Sequence, residues 1–501
     1  MEQDVNAFSA FSILDLHERK REKKELPSYF QDLNLETVFD LLAMFGGKAT
    51  LAYYRYLPET PEDEAYRRAV YGDVKSEPVN RALEAFVSQM GDVKDLRRKK
   101  ESAPAGLQQA VWLLREEEAY CSACEAFMKA LEQTELFSEG MRQFFQILQD
   151  WVISETFQRM RRQTKEIMNE IRGLRLVITY EKNRVRVELD EDERETETPA
   201  WQDRKPLQNP FSSSAALVEI ERECLDILKK MKPDLFQAIQ ETSKRFELYE
   251  NPIVARFEKE IKFYLSYCSL QKHLEGKGFS FSTPKVSEIS PPEGKGLYDL
   301  ALACVSVNSG KKVVPNDFYY GAGKRFFVLT GPNQGGKTTF ARSLGQLVYF
   351  TRIGLDVPAR EASVPFFPNI QTHFSVEESM ESGRGKLKEE LTRLAPMMKV
   401  RQKGTFVIIN ELFTTAANYD AQIMGQKVLA HFIELGCMGI YVTHLKELAS
   451  SHTQAVSLRA MQDENKCPTY IIQRGEAGEN ANAEKLVEKY RLTYRQLKER
   501  L

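Results

Sequence analysis

The sequence lacks the features that would place it in a membrane or outside the cell. No apolar run approaches the ~18 residues that a membrane-spanning helix needs. The acidic start, Met1–Asp4, is not followed by the apolar region of a signal peptide. Cysteine is scarce, and seven in 501 residues, an odd number, fit a reducing compartment better than a disulfide framework. We therefore expect a cytoplasmic protein with no membrane partner.

The sequence also lacks an excess of charge of either sign. Lysine and arginine number 70 and aspartate and glutamate 72, which gives a net charge of −2. Global electrostatics therefore neither favour nor exclude nucleic acid, and only local basic clusters could bind it. A single CxxC pair, Cys121 and Cys124, has no second pair at zinc-ribbon distance and lies in a helical pattern, which predicts core packing. The length leaves room for about three domains.

The most informative segment is the glycine-rich stretch from Gly331 to Thr338. It fits the phosphate-binding pattern G-x-x-x-x-G-K-[ST], follows an apolar run at 326–330 that predicts a buried strand, and precedes a helical pattern. The glycines let backbone N–H groups face an anion, the lysine would reach the β- and γ-phosphates, and the threonine hydroxyl would ligate Mg²⁺. We therefore predict that ATP and Mg²⁺ bind here. The predicted nucleotide contacts are Gly331, Pro332, Asn333, Gln334, Gly335, Gly336, Lys337, Thr338 and Thr339.

The details of this loop resemble the MutS family of DNA mismatch-repair ATPases. A Pro-Asn pair follows the first glycine and a doubled glycine precedes the lysine, as in that family. Other matching pieces, in the family's order and spacing, are Val314–Asp317, the Walker B strand Phe406–Glu411, the turn Asn418–Ala421 and the switch Tyr441–His444. The resemblance covers roughly residues 300–475 and is weaker at Asp32–Leu35, Leu57–Pro61 and Arg67–Arg68. It implies an α-helical core and lever domain followed by an α/β P-loop NTPase, an ABC-like ATPase head.

The resemblance also implies roles for residues outside the loop. Asn410 takes the place of the Walker B aspartate, so the implied metal ligands are Thr338 and Asn410, and the missing charge should lower the affinity for Mg²⁺. The implied catalytic residues are Glu411, as general base or water-positioning group, and His444, as a sensor of the γ-phosphate. The heads of two copies would dimerise around the nucleotide.

Two positions depart from the family's pattern. Ser382, Gly383 and Arg384 match its signature segment, which would complete the partner's nucleotide site. Gly385 and Lys386 then stand where the family usually has Ser and Thr. Val313 takes the place of an aromatic residue that the family often stacks on adenine. Both departures imply weak or altered turnover rather than loss of binding.

Apolar spacing and composition predict the domain organisation. We expect an N-terminal helical segment at 1–45, a helical core and lever domain at 46–275, a linker at 276–298, the ATPase at 299–475 and a C-terminal helical segment at 476–501. A short clamp-like hairpin insertion is expected near 174–214, with strands at Leu174–Tyr180 and Val185–Leu189 and an acidic run after the second strand. A stripe from Met141 to Val152 predicts a helix that continues into Met160.

The leading functional hypothesis is a dimeric ATPase whose lever helices couple ATP to the binding of mismatched or branched DNA. The chain begins almost at the core domain, so we expect it to lack the family's mismatch-reading and connector domains. DNA would be bound through its backbone or shape. The candidate contacts are Arg19–Arg21, Lys23–Lys24, Arg97–Lys100, Arg159, Arg161–Arg162, Arg184 and Arg186. The alternative is a nucleotide-gated protein-interaction module with little hydrolysis and no DNA binding; a transporter-associated ABC subunit is disfavoured by the loop and the lever.

Overall fold

A computed structural model describes the chain in two compact units. The described residues are 11–16, 27–181, 184–189, 225–246, 249–287, 290–310, 312–374, 386–399 and 404–475. The first unit, here the α/β unit, comprises Met1–Asn80, Leu136–Arg142 and Lys259–Leu501. The second, here the helical unit, comprises Arg81–Glu135 and Gln143–Glu258.

Helices make up most of the described chain up to residue 275. They are α1 (Tyr29–Asp32), α2 (Leu35–Gly46), α3 (Leu51–Arg55), α4 (Pro61–Lys75), α5 (Glu77–Ser102), α6 (Leu107–Glu132), α7 (Glu139–Ile153), α8 (Glu155–Gly173), α9 (Pro233–Arg245) and α10 (Pro252–Glu275), with a further helical stretch at 225–231. The later helices are α11 (Leu300–Ser309), α12 (Lys337–Arg352), α13 (Lys386–Lys399) and α14 (Asn418–Glu434). Short 3₁₀ turns cover Lys48–Thr50 and Lys446–Leu448. None of the helices in the described ranges is both long and apolar enough to cross a membrane.

The strands pair into a hairpin and two larger sheets. The hairpin joins β1 (Leu176–Glu181) and β2 (Arg184–Leu189), which are antiparallel. The other strands are β3 (Lys285–Val286), β4 (Glu293–Leu297), β5 (Asn316–Tyr319), β6 (Phe326–Thr330), β7 (Glu361–Val364), β8 (Asn369–Phe374), β9 (Thr405–Asn410), β10 (Met438–Val442), β11 (Ala455–Gln462) and β12 (Pro468–Arg474). The six-stranded sheet has the order β12-β11-β6-β10-β9-β8, and the four-stranded sheet the order β3-β7-β4-β5.

The six-stranded sheet is built around apolar strands that are buried on both faces. Every residue of β6 and β9 is buried, which is the pattern of a parallel sheet covered on both sides. Strand β10 pairs in parallel with β6 on one side and with β9 on the other. The carboxyl ends of β6, β9 and β10 therefore lie at the same edge of the sheet, and the loops that follow them meet there.

Helix α12 is fixed to the sheet and to the N-terminal segment by close packing at Gly345. A Cβ atom on Gly345 would overlap the side chains of Leu33 and Ile408. Two polar side chains of α12 also hold the same segment: Arg342 Nε donates to the Asp32 carbonyl oxygen and Gln346 Nε2 to that of Leu33, both at 2.9 Å. The residues around Asp32–Leu35 thus form part of the support of α12.

The helical unit has an aromatic core and a buried polar network. The rings of Phe86 and Phe127 stack with centroids 4.3 Å apart, and Phe144 and Phe257 extend the cluster. Fully buried Glu116 accepts hydrogen bonds of 2.6 Å from Arg97 Nε and from the Tyr249 hydroxyl. A buried carboxylate of this kind is retained because its partners replace the water that it has lost.

The helical N-terminal region followed by a mixed α/β sheet domain agrees with the predicted fold class. The ATPase head and the domain boundaries stay predictions. The α/β unit and the helical unit divide the chain at other residues than the predicted domains do, and β3 and β4 lie within the predicted linker. Cys121 and Cys124 are both buried, which confirms the predicted core packing. The predicted hairpin strands form, whereas 190–224 and the predicted helical segment 476–501 lie outside the described residues.

The predicted continuation of the Met141–Val152 helix into Met160 is wrong. Helix α7 ends at Ile153, and a new helix, α8, begins at Glu155. The reason is local: Ser154 has extended backbone angles, and its side chain accepts a hydrogen bond from the Phe157 N–H as an N-cap. Met160 is buried as a residue of the second helix. The apolar stripe therefore continues across the boundary between two helices, and the N-cap residue Ser154 marks that boundary.

Candidate nucleotide-binding site

The glycine-rich loop lies where the sequence predicts it, between β6 and α12. Its shape requires glycine at two positions: Gly331 has φ = 139° and Gly336 has φ = 86°, values that other residues rarely adopt. A Cβ atom on Gly331 would also lie 2.8 Å from that of Ala460. Asn333 and Gln334 form the exposed tip of the loop, and Gln334 has φ = 60°. The loop therefore passes close to β11 and opens at the amino end of α12.

Lys337 holds the loop in this shape. Its Nζ atom donates to the carbonyl oxygens of Gly331 and Pro332, each at 3.0 Å, and the side chain is only 4% exposed. An ammonium group has three protons, so one remains for an anion within the loop. Burial lowers the pKa of Lys337, and the nearby Glu411 carboxylate opposes that shift. The amino terminus of α12 adds its positive end at the same point.

The next polar pair joins the loop helix to the end of β9. The Thr338 hydroxyl donates to Asn410 Oδ1 at 3.1 Å, and Asn410 is buried. These are the two residues that the sequence predicts as metal ligands, and the structure brings them together. Both carry neutral oxygen atoms, so the pair offers no carboxylate to a cation.

Glu411 and His444 form the third contact at this edge. His444 Nε2 lies 3.1 Å from Glu411 Oε1, and Lys337 Nζ lies 3.8 Å from the same oxygen. Glu411 has φ = 56°, in the left-handed region, and its N–H donates to the Val442 carbonyl oxygen at 2.9 Å. Backbone strain at a non-glycine residue costs of order 1–3 kcal/mol and is typical of functional sites. The strained turn aims the carboxylate at the space beside the loop.

A second strained residue follows within the same turn. Phe413 has φ = 65°, and its N–H donates to the buried Glu390 carboxylate at 3.0 Å. Glu390 belongs to α13, so this bond ties the turn after β9 to the helix that follows the predicted signature segment. Ser382, Gly383, Arg384 and Gly385 themselves lie outside the described residues, and the side chain of Lys386 is not described.

A cavity of about 400 Å³ lies beside the loop and helix. Its walls include Val313, Asn316, Gly336, Thr339 and Tyr470. Thr339 and Val313 are thus where the sequence places them, next to the loop, and the wall at Val313 is aliphatic. The cavity has a size that suits a planar heterocycle.

Tyr470 is the residue of this cavity that sequence reasoning missed. Its ring lies next to Gly336, with Cδ1 3.3 Å from the position of a Cβ atom there, and its φ is 61°. Asn316 fixes β12 at this point, because its Nδ2 donates to the Tyr470 carbonyl oxygen at 3.1 Å and its Oδ1 accepts from the Ile472 N–H at 2.7 Å. In the sequence, Tyr470 stands out only as an aromatic residue two positions after Pro468. The pairing of β12 within the sheet is what brings its ring to the loop.

Where the structure describes the side chains of the predicted basic clusters, most of these cations are paired with neighbouring carboxylates. Arg97 pairs with buried Glu116 and with Glu250, so it is part of the interior network of the helical unit. The remaining predicted cations divide into those with acidic partners, namely Lys100, Arg98, Arg159 and Arg161, and the exposed Lys99 and Arg162. Residues 17–26 lie outside the described ranges, and the side chains of Arg184 and Arg186 are not described.

Comparisons with known proteins point to one family. Residues 327–481 match MutS domain V. The DNA mismatch repair protein MutS of Fervidobacterium nodosum is 26% identical over 251 residues, which is 48% of this chain and 29% of that protein. Those of Thermotoga sp. and Thermotoga neapolitana are each 31% identical over 27% of this chain and 17% of the relative. The matched region thus spans less than a third of the length of these curated relatives.

Proposed function

Because the carboxyl-terminal half of this chain is that of a MutS-family protein with a MutS domain V at residues 327–481, we propose that its α/β unit binds and hydrolyses ATP. The observation that carries the proposal is the convergence of Lys337, Glu411 and His444 at one edge of the parallel sheet. A cation, a carboxylate and an imidazole there match the requirements of phosphate binding and of the activation of water.

Each side chain has a distinct task in this proposal. Lys337, fixed by the carbonyl oxygens of its own loop, binds the β- and γ-phosphates with its third proton and screens their charge. Glu411 accepts the proton of the attacking water or orients that water towards the γ-phosphorus. His444 Nε2 lies 3.1 Å from Glu411 Oε1 and keeps the carboxylate in position. The adenine ring enters the cavity, where it packs between the aliphatic wall at Val313 and the ring of Tyr470.

The residues present are a poor match for the Mg²⁺ that the family implies. Its ligands would be Thr338 Oγ1 and Asn410 Oδ1, which are neutral and already hydrogen-bonded to one another. Mg²⁺ binds preferentially where carboxylate oxygens accompany the phosphates, and asparagine removes that charge. The proposed roles therefore belong to the side chains of Lys337, Glu411 and His444 alone.

The proposal also includes DNA. Two copies of the chain would form a dimer through their α/β units, and ATP would control the binding of DNA by that dimer. The support in the helical unit is a group of exposed cations that have no acidic partner among the described residues. Lys99 and Arg115 both lie over the Trp112 ring, at 5.5 and 4.9 Å from its centroid, and Arg162 and Lys165 are exposed on α8. Cations beside an aromatic ring suit a phosphate backbone with unstacked bases, as in branched DNA.

The second candidate function is a nucleotide-gated interaction module that does not bind DNA. It is favoured by the carboxylate partners of Arg97, Arg98, Arg159 and Arg161, which leave few free cations among those predicted contacts whose side chains the structure describes. Salt dependence separates the candidates, since log K for DNA falls by about 0.9 per log[salt] for each phosphate neutralised. Absence of DNA retention at low salt would leave the interaction module as the better explanation.

Two experiments test the proposal. Lys337→Ala should abolish measurable ATP binding, and the exposed Lys427→Ala in the same unit should not. Retention of ATP by the Lys337 variant at the parental affinity would refute the nucleotide site. Mobility shifts of homoduplex, mismatched duplex and four-way junction, with and without ATP, test the DNA part, for which we expect a preference for the junction. A several-fold preference for the mismatch would contradict recognition by shape.

A further inference from the structure

The two predicted metal ligands of the proposed nucleotide site are neutral side chains that are hydrogen-bonded to each other. Thr338 Oγ1 donates to Asn410 Oδ1 at 3.1 Å, and Asn410 is only 6% exposed. The hydroxyl proton and one lone pair of the amide oxygen are therefore used within the pair. What remains available to a ligand is the Asn410 amide nitrogen, which carries two protons. In the described part of the chain this nitrogen has no hydrogen-bond partner.

The neighbouring carboxylate does not replace the missing charge. Glu411 Oε1 lies 3.1 Å from His444 Nε2 and 3.8 Å from Lys337 Nζ, so it is engaged by a base and a cation. Among the described residues, no group of three or more His, Cys, Asp or Glu side chains is arranged to hold a metal ion. Among the described residues, the charges beside the loop are thus Lys337 and the amino end of α12 on one side and Glu411 on the other.

This charge balance changes which form of the nucleotide the site accepts. A site with two carboxylates repels the phosphates and needs a divalent cation between them, whereas one carboxylate fewer weakens both the repulsion and the attraction for the cation. The amide nitrogen can in addition donate directly to a phosphate oxygen in the place that a hydrated metal would take. Resting on the proposed function, we propose that this site binds ATP without Mg²⁺ almost as well as with it, and that Asn410 determines this tolerance.

Equilibrium binding of a fluorescent ATP analogue tests the inference without any measurement of turnover. The affinity of the whole protein is measured with excess EDTA and with excess Mg²⁺. A charge a few ångströms away changes binding by about one to three powers of ten. Because the parent lacks the carboxylate at position 410, we expect its two affinities to agree within about tenfold. Asn410→Asp restores the second carboxylate and should widen the difference to at least about 100-fold, with weaker binding in EDTA.

Two further variants control for charge and for folding. Asn169→Asp makes the same change on an exposed residue of α8 and should leave the parental ratio. Asn410→Ala stays neutral but removes the amide donor, so it should weaken binding in EDTA more than binding with Mg²⁺. Thermal unfolding shows whether each variant folds. If Asn410→Asp does not fold, the comparison of Asn410→Ala with the parent still tests the inference.

The outcomes separate the inference from the function on which it rests. If the parent binds ATP with Mg²⁺ but more than about 100-fold more weakly in EDTA, the inference is wrong and the nucleotide site stands. An equal ratio for the parent and Asn410→Asp would also overturn it, because position 410 would then not control the metal. If ATP binds under neither condition, the proposed function itself is refuted.

Discussion

Replacement of Glu411 by glutamine should separate nucleotide binding from turnover. The carboxylate lies 3.8 Å from Lys337 Nζ and contacts His444, while it makes no part of the loop itself. Glutamine has nearly the same shape, but it can neither accept a proton from water nor carry a charge. A positioned general base contributes ~10²–10⁴-fold, so we expect turnover to fall by that factor, or by about 3–5 kcal/mol in the activation barrier.

The effect on binding follows from the same distance. Two unit charges 3.8 Å apart attract by about 4 kcal/mol at an effective dielectric constant of ~20. Because Glu411 is 28% exposed, water reduces this attraction to roughly 1 kcal/mol. In the parent, Lys337 must give up part of its attraction to Glu411 in order to bind phosphate. The Glu411 carboxylate also repels the phosphates. We therefore expect ATP to bind to Glu411→Gln as tightly as to the parent, or up to about tenfold more tightly.

Single-turnover hydrolysis and equilibrium binding of ATP measure the two effects separately. Glu434→Gln, the same change on an exposed residue at the end of α14, is the matched control and should leave both at the parental value. Hydrolysis by Glu411→Gln at the parental rate would refute the assignment of the base. A loss of ATP binding without loss of folding would refute the described geometry, in which the carboxylate opposes rather than assists Lys337.

Three further variants test other contacts. His444→Ala should lower turnover by about tenfold or more and leave ATP binding intact, since it removes only the partner of Glu411; parental turnover would contradict that role. Gly345→Ala should destabilise the fold by about 1–3 kcal/mol through overlap with Leu33, and Leu33→Ala should partly reverse the loss; additive losses in urea unfolding would contradict this packing. Burial raises the pKa of Glu117 to about 8 from its ordinary 4.5, so the unfolded chain is ionised where the folded chain is not. Stability should therefore decline by a few kcal/mol between about pH 4.5 and 8, and Glu117→Gln should flatten this slope in unfolding curves; an unchanged slope would show that Glu117 is ionised in the fold.

The sequence was sufficient for the parts of the site that depend on neighbouring residues. The loop, its flanking strand and its helix are encoded by glycine spacing and by a continuous apolar run, and both are local patterns. The approach of Glu411 and His444 was also predictable, because each follows a buried parallel strand and such strands end at the same edge. That these two residues perform catalysis stays a prediction.

The sequence was insufficient where the contact joins distant segments. Tyr470 reaches the loop because β12 pairs with β11 through an irregular register and because Asn316 binds its carbonyl oxygen. No local spacing specifies that arrangement. Arg97 shows the same limit, because its partner Glu116 lies on the next helix and draws this one cation of the predicted clusters into an interior network. A charge pattern reveals which residues are charged but not which of them face each other.

The site divides its tasks among residues that can change independently. In the proposed function, ATP binding depends on Lys337, whose position is fixed by loop carbonyl oxygens. The activation of water would depend on Glu411, which is held by a strained turn and by His444. In the same proposal asparagine at 410 would weaken only the contribution of the cation, while its bond to Thr338 keeps β9 attached to the loop helix. Loss of the Walker B aspartate is therefore compatible with a retained catalytic carboxylate, because the two carboxylates of the ordinary site serve different partners.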